Sequence, residues 1–224
     1  MSTSQLPLAF AKPNRRGGAR PGAGRKPGPR PKVRHRARPI HRASHPVHVT
    51  LRARAGLPSF REQAIFSAMR RAISAASRSP AVGRSFRVLH FSVQSNHVHL
   101  VVEAHDKTSL SRGMRGLATR LARAIHRALE THGRVWGDRY HARDLFTPRE
   151  VRNALVYVLM NAKKHGVRLV GLDRFSSAPW FDGFRDFVPE VDERPTAAAK
   201  TWLADVGWRA RGLLRTTERP ATHR

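Results

Sequence analysis

The 224-residue chain has no cysteine, only two tyrosines, and 15 acidic residues against 43 lysines and arginines. Without cysteine there is no disulfide framework, no thiol nucleophile and no zinc–thiolate site. No run of 18 or more apolar residues occurs, so no segment is predicted to span a membrane. The first residues, a short apolar stretch followed by charge, do not match a secretory signal. We therefore expect a cytoplasmic protein without a membrane partner.

The excess of basic residues gives the chain a formal net charge of +28. Residues 1–44 carry 12 basic and no acidic residues, and residues 45–172 carry 22 basic and 7 acidic ones. Residues 173–224 are almost neutral, with 9 basic and 8 acidic residues. A field of this sign favours polyanions, above all nucleic acid. The charge therefore predicts a nucleic-acid partner and a nucleoid-associated location in the cytoplasm.

The first 44 residues form a basic tail that is predicted to be disordered and to bind DNA. They contain seven prolines, five glycines and no acid, and cannot bury a sizeable apolar area. Arg25, Lys26 and the proline after them lie between glycines, as in an AT-hook that enters the minor groove of A·T-rich DNA. The alternative is a basic tail that adds nonspecific affinity for phosphates. In both interpretations Arg25 and Lys26 contact nucleic acid.

Hydrophobic periodicity predicts an α+β domain over residues 45–172. The predicted strands cover 45–54, 85–93, 97–104 and, more weakly, 135–146. The predicted helices cover 58–77, 106–131 and 148–165. The order β-α-β-β-α-β-α contains the ferredoxin-like split βαβ arrangement, with the first and third strands central, and adds a C-terminal helix that bears a tyrosine. Residues 173–224, with three of the four tryptophans, are predicted to be an aromatic C-terminal extension that packs on this domain.

Two pairs of side chains could support chemistry. His97 and His99 lie two residues apart on a predicted strand, so both imidazoles point to one face and can share a cation. Tyr157 and Asn161 lie four residues apart on a predicted helix, so they share a face as well. The alternatives are histidines with purely structural hydrogen bonds and a tyrosine that packs between helix and sheet. Spacing alone does not decide between these interpretations.

Four motifs, in order along the chain, resemble those of one family. HPVHVTLR (45–52) resembles its first strand, and SNHVHLVVEA (95–104) resembles the His-hydrophobe-His motif of HUH-type single-strand nucleases. RVWGDRYHARDL (134–145) resembles the segment before its tyrosine helix, and NALVYVLMNAKKHG (153–166) resembles that helix. With these motifs, residues 45–172 resemble the REP-associated tyrosine transposases, a family of HUH-type single-tyrosine transposases.

The resemblance implies a metal-dependent single-strand DNA endonuclease and transposase. His97, His99 and Asn161 fall where that family binds a divalent ion, Mg²⁺ or Mn²⁺. Tyr157 falls where its nucleophile lies, which would form a 5′-phosphotyrosine while hairpin-flanked single strands are cleaved and rejoined. This chain has Asn161-Ala where the family often has Asn-Pro, a departure that removes no ligand. The other tyrosine, Tyr140, is the alternative nucleophile.

The charge and the resemblance together predict DNA contacts near these residues. The candidate DNA-binding residues of the domain are Arg52, Asn96, Arg139, Arg143, Lys163 and Lys164. The arginines of the long helix over 106–131 either contact phosphates as well or form a solvated face. The expected partner is single-stranded or hairpin DNA, bound by a monomer or a homodimer. The alternative functions are a non-catalytic protein that binds hairpin DNA or RNA, and a nickase similar to replication initiators.

Overall fold

A four-stranded antiparallel sheet forms the centre of the protein. The computed structural model describes residues 40–78, 85–164, 171–186, 188 and 193–221, which belong to one compact unit. The strands are β1 (Val47–Arg52), β2 (Phe86–Val93), β3 (His97–Ala104) and β4 (His141–Asp144). Their order is β2-β3-β1-β4, and every neighbouring pair is antiparallel. The predicted ferredoxin-like α+β arrangement, with the first and third strands central, is confirmed.

Two helices, α1 (Gln63–Ser77) and α2 (Lys107–Leu129), cover one face of the sheet. Because side chains alternate along a strand, Val47, Val49 and Leu51 of β1 all point to this face, where they are buried. Helix α2 packs there through a stripe of apolar residues at helical spacing, namely Leu110, Met114, Leu117, Leu121 and Ile125. These contacts form the larger of the hydrophobic cores.

Helix α3 (Pro148–Leu159) lies on the opposite face of the sheet, where it contacts β2 and β3. Val101, which alternates along β3 with residues of the larger core, packs against Val158 of this helix. The sheet therefore separates two layers, with α1 and α2 on one side and α3 on the other. Among the helices that the structure describes, none has the length and apolar character needed to cross a membrane.

The ends of α3 are set by local backbone geometry. At its start, the Glu150 amide donates a hydrogen bond to the Thr147 hydroxyl at 3.2 Å, as expected of a capping box. At its end, Met160 leaves helical geometry with φ −107° and ψ 14°, and helical backbone resumes in the short α4 (Asn161–Lys164). The sequence predicts one continuous helix to residue 165, so the interruption is a difference, and it makes Asn161 the first residue of a new turn.

The C-terminal segment packs against α3. It contains two 3₁₀ helices, Ala178–Trp180 and Gly207–Arg211, and helix α5 (Trp202–Asp205). Its buried apolar residues form a second core with α3, made by Phe181, Phe184, Leu203, Trp208 and Leu214. The buried Glu103 of β3 ties this segment to the sheet, because its carboxylate accepts hydrogen bonds from the amides of Lys200 and Thr201. Helix α3 thus contacts the sheet and the C-terminal segment at once.

Two predicted boundaries differ from the observed ones because backbone groups are bonded elsewhere. Helix α1 begins at Gln63 rather than near residue 58, since the Phe60 amide donates to a carbonyl of the β2–β3 turn at 2.8 Å. Strand β4 begins only at His141, since the Gly137 amide donates to the Arg52 carbonyl at 2.9 Å and the chain bends at residues 137 and 138 before the strand. Hydrophobic periodicity does not encode either contact.

Substitution by alanine should have opposite effects on stability at two glycines of α2. A Cβ on Gly113 would collide with the Phe86 ring of β2, so Gly113→Ala should lower the free energy of unfolding by about 1–3 kcal/mol. A Cβ on Gly116 would meet nothing within 4 Å, so Gly116→Ala should raise that free energy by up to about 1 kcal/mol. Urea denaturation of both variants measures the two changes. If Gly113→Ala had the same midpoint of urea unfolding as wild type, the packing of α2 on β2 would be contradicted.

His90 of β2 predicts a loss of stability in acid. Burial, followed by the nearby Arg194, lowers its pKa from 6.5 to about 3, and its ring packs edge-on against Phe181. Because the unfolded chain takes up the proton near 6.5 and the folded chain does not, stability falls as the pH drops from 6.5 toward 3. Urea denaturation at pH 7 and at pH 5 measures this effect. Between the two pH values, the free energy of unfolding of His90→Leu should fall by about 2 kcal/mol less than that of wild type. The same substitution at the exposed His132 is the control, and an equal loss in all three proteins would contradict the prediction.

Candidate active site

The two histidines of β3 lie side by side on the sheet face that carries α3. The ring centroids of His97 and His99 are 4.7 Å apart. His99 Nδ1 lies 3.1 Å from the Thr50 hydroxyl, and His97 Nδ1 lies 2.8 Å from Asn96 Oδ1. A second partner at Nδ1 fixes the ring orientation of an imidazole that binds a metal through Nε2. The two rings are therefore oriented by neighbouring side chains without any ion.

Tyr157 of α3 places its ring against the same pair of strands. Its centroid is 4.9 Å from that of His99 and 5.5 Å from that of His48 on β1, both in edge-to-face geometry. The side chain is half-buried, so the histidines cover part of it while another part remains accessible. The structure thus brings His97, His99 and Tyr157, which the sequence singles out, into one cluster.

Asn161 lies four residues beyond Tyr157, at the start of α4, and is 1% exposed. Neither Oδ1 nor Nδ2 of its amide has a hydrogen-bond partner among the residues that the structure describes. A buried polar group without a partner costs about 1–3 kcal/mol, so a ligand for this amide would offset an existing penalty. The environment of Asn161 fits an oxygen ligand of a metal ion.

A divalent ion at this place would have two imidazoles and one amide as its protein ligands. Within the described ranges, no three His, Cys, Asp or Glu side chains are grouped so that they could hold a metal ion. The predicted ligand set, His97, His99 and Asn161, would leave coordination positions for water and phosphate oxygens. These residues fit an Mg²⁺ or Mn²⁺ ion that shares its coordination with a substrate.

Tyr140 lies in a different environment from Tyr157. It precedes β4 and packs, half-buried, with Trp136 and Ala142 against the core that α1 and α2 cover. The two tyrosines of the chain are therefore on opposite sides of the sheet. Only Tyr157 has ring contacts with the histidines among those seen in the described part of the chain.

His48 belongs to the cluster although the sequence did not single it out. Its ring centroid is 5.3 Å from that of His99. Burial, followed by His141 and Arg143, lowers the pKa of His48 to about 4, so its imidazole is neutral at pH 7. The alternation of β1 already placed His48 and Thr50 on one face. What the sequence did not contain was the antiparallel register that sets this face beside His99.

A cleft of about 580 Å³ opens beside Tyr157. The sheet, α3 and the C-terminal segment all line it, with polar side chains from His48, His141, Arg143, Asn153, Glu218 and Arg219. Ion pairs link these elements, since Arg143 contacts Glu150 at 2.6 Å and Arg152 contacts Glu218 at 2.7 Å. The cleft has both polar and apolar lining and is, by its volume, large enough for a nucleotide next to the tyrosine.

Four of the predicted DNA-binding residues are described with their side chains. Arg52 is exposed at the end of β1, opposite His97 in the register. Asn96 is adjacent to it, because its carbonyl accepts a hydrogen bond from the amide after Arg52, and its side chain contacts His97. Arg143 lines the cleft, and Arg139 is exposed in the loop before β4. Three of the four thus border the cluster or the cleft.

The remaining predicted DNA-binding residues cannot be placed in this way. Arg25 and Lys26 lie outside the described residues. For Lys163 and Lys164 the backbone is described, in α4, and the side chains are not. Their predicted roles stay predictions.

The chain resembles one family model in sequence and one solved structure in fold. A family model described as "Transposase IS200 like" matches residues 48–157. No curated protein matches the sequence. A solved structure of a REP-associated tyrosine transposase bound to a REP hairpin aligns with a TM-score of 0.52 and 19% identity, over 65% of this chain and 82% of that one. That likeness shows a shared fold.

The match in sequence runs from His48 to Tyr157, the two residues whose rings meet across the helix–sheet contact. It therefore includes β2, β3 and β4, all of β1 except Val47, the histidine pair and most of α3. The sequence motifs predicted a single-tyrosine transposase, and the match agrees with them. Residues 48–157 therefore belong to the family of IS200-like transposases, enzymes of DNA transposition.

Proposed function

We propose that the protein cleaves and rejoins single-stranded DNA beside hairpins through a covalent 5′-phosphotyrosine on Tyr157. The observation that carries this proposal is the contact of the Tyr157 ring with His99, 4.9 Å between centroids, on the strand that also carries His97. Tyr140, by contrast, packs against the core on the far side of the sheet. Tyr157 is therefore the tyrosine that a phosphate at the histidine pair would meet.

In the proposed reaction the Tyr157 oxygen attacks the scissile phosphorus in line with the leaving 3′ oxygen. A P–O bond to tyrosine forms as the P–O3′ bond breaks, the phenol gives up its proton, and the 3′ oxygen takes one up. The phosphotyrosine keeps a phosphodiester-like bond. The 3′-hydroxyl of another strand can therefore reverse the step and join the ends without a nucleotide cofactor.

The polar side chains around Tyr157 would bind and orient the phosphate. His97, His99 and Asn161 would hold Mg²⁺ or Mn²⁺, which when bound polarises a nonbridging phosphate oxygen. The Thr50 hydroxyl, 3.1 Å from His99 Nδ1, would keep that imidazole in its binding orientation. His48 packs on the Tyr157 ring and would restrict its rotation, so that the hydroxyl stays directed to one position.

The surroundings of the cluster favour a DNA strand as substrate. The cleft beside Tyr157 accommodates a nucleotide, and Arg52, Asn96 and Arg143 would contact the strand on either side. The protein of similar fold is bound to a REP hairpin, which supports hairpin-flanked DNA as the substrate class. With a net charge of +28, the protein would stay associated with chromosomal DNA in the nucleoid. Two protomers, each with one Tyr157, would serve two strand ends.

The polarity of the covalent bond provides the test. Single-stranded DNA with a hairpin-forming repeat and flanking sequence is labelled at its 5′ or its 3′ end and incubated with the full chain and Mn²⁺. A 5′-phosphotyrosine attaches the downstream fragment, so only the 3′ label should migrate with the protein on a denaturing gel. The 5′-labelled fragment should carry a 3′-hydroxyl that a polymerase extends. Transfer of the 5′ label to protein, or hairpin binding without an adduct across a panel of repeats, would overturn the proposal.

A further inference from the structure

The outer surface of α2 carries five arginines that form no ion pair with the residues the structure describes. Helix α2 contains five arginines and a lysine but no acidic residue between Lys107 and Leu129. All five arginines are exposed, and together they form the α2 arginine row: Arg112, Arg115, Arg120, Arg123 and Arg127. They lie on the side of the helix opposite its buried stripe of Leu110, Met114, Leu117 and Leu121.

The charges of this row repel one another and have no described counter-charge. Eight ion pairs are seen among the described residues, and none includes a member of the row. Arg112 and Arg115 are three residues apart, and Arg123 and Arg127 are four apart, spacings at which like charges destabilise a helix. A bound polyanion would remove this repulsion.

The row is far from the candidate active site in the architecture. Helix α2 covers the sheet face to which Val49 points, whereas His48 and Tyr157 meet on the other face. The sheet and the larger core therefore lie between the row and the histidine cluster. A ligand on the row would leave the cluster open to a second one.

The composition of this face favours double-stranded DNA over a single strand. Surfaces that bind single strands combine basic side chains with exposed aromatic rings on which bases stack. The exposed large apolar residues of the described chain all lie outside α1 and α2, at Ile40, Phe146, Trp202, Val206 and Leu213. From Arg112 to Arg127 the row extends roughly 22 Å at 1.5 Å per residue, a rod-like line of guanidinium groups that suits a phosphate backbone.

We propose that the α2 arginine row binds the phosphate backbone of linear double-stranded DNA, so that one molecule holds a duplex on one face of its sheet and a reacting strand on the other. The row reads no bases, and its contribution is electrostatic and independent of sequence. This inference does not depend on the proposed strand cleavage, because duplex binding is measured without any adduct.

The test measures how the affinity for duplex DNA depends on salt. A labelled 20-base-pair blunt duplex without palindromes is titrated with the full chain between about 50 and 300 mM KCl. The variant R112Q/R123Q/R127Q should reduce the slope of log K against log salt by about 2–3 and weaken duplex binding at least about tenfold at 150 mM. Its affinity for a hairpin-free single strand should fall less than about threefold. The N-terminal tail is common to all proteins compared, so its contribution cancels.

A matched control removes the same charge elsewhere. The variant R185Q/R211Q/R215Q replaces three exposed arginines of the C-terminal segment and should keep the wild-type slope. Equal losses in both triple variants would mean that only total charge matters, and equal losses on duplex and single strand would remove the preference for duplex. Either result overturns the proposal. Thermal unfolding checks the fold, and the row variant should unfold at or above the wild-type temperature because like-charge repulsion is reduced.

Discussion

Replacing Tyr157 with phenylalanine should abolish the covalent protein–DNA adduct and lower strand cleavage by on the order of a thousandfold or more. The substitution removes only the phenolic oxygen, which is the atom proposed to attack phosphorus. The ring contacts with His99 and His48 need no hydroxyl and should persist. Stability and hairpin affinity should therefore change little. The measurement is the 3′-labelled adduct on a denaturing gel, with binding measured on the same preparations.

Tyr140→Phe is the matched control, because it makes the same chemical change on the other side of the sheet. Tyr140 packs against the larger core, so removing its hydroxyl should leave the amount of adduct at the wild-type level. An adduct that disappears in Tyr140→Phe and persists in Tyr157→Phe would move the nucleophile to Tyr140. In that case the histidine cluster would need another explanation. An adduct retained by both variants would contradict a tyrosine nucleophile altogether, since the chain has only two tyrosines.

The sequence predicted the parts of the fold that local chemistry determines. Alternation over 45–54 and 97–104 predicted two strands, and the ferredoxin-like order predicted that both are central. The period of two along β3 was enough to place His97 and His99 on one face. The capping box at Thr147 predicted the start of α3 at Pro148. Each of these features depends on residues within one element or on the order of elements.

Other features depend on contacts between distant parts of the chain, and no local pattern contains them. His48 joins the cluster because the β1–β3 register pairs it with Val101, across 53 positions of sequence. The interruption at Met160 separates Asn161 from the helix on which the sequence placed it. The cleft exists only because the C-terminal segment, with Glu218 and Arg219, reaches the outer side of α3. Tertiary packing decides such features.

Asn161→Leu should have opposite effects on stability and on metal response. The amide is buried and both of its polar atoms lack described hydrogen-bond partners, so an isosteric apolar side chain should raise the free energy of unfolding without metal by about 1–3 kcal/mol. The variant also loses the only oxygen among the proposed protein ligands. At a hundredfold excess over Kd, Mn²⁺ should stabilise wild type by about 2.7 kcal/mol and so raise its unfolding temperature. The unfolding temperature of the variant should stay nearly unchanged. Adduct formation should fall with the metal response.

Asn153→Leu separates the role of Asn161 from the general effect of removing an amide. Asn153 is exposed on α3, one turn before Tyr157, where a leucine should leave the stabilisation by Mn²⁺ as in wild type. Thermal unfolding of the three proteins, with EDTA and with Mn²⁺, gives both quantities without reference to activity.

A metal response that survives in Asn161→Leu would remove this residue from the proposed ligand set. A variant that unfolds at a lower temperature than wild type in EDTA would show that the amide already has a stabilising partner in the metal-free protein. Because His97 and His99 are oriented through Thr50 and Asn96 regardless of residue 161, either result would test the third ligand without disturbing the histidine pair.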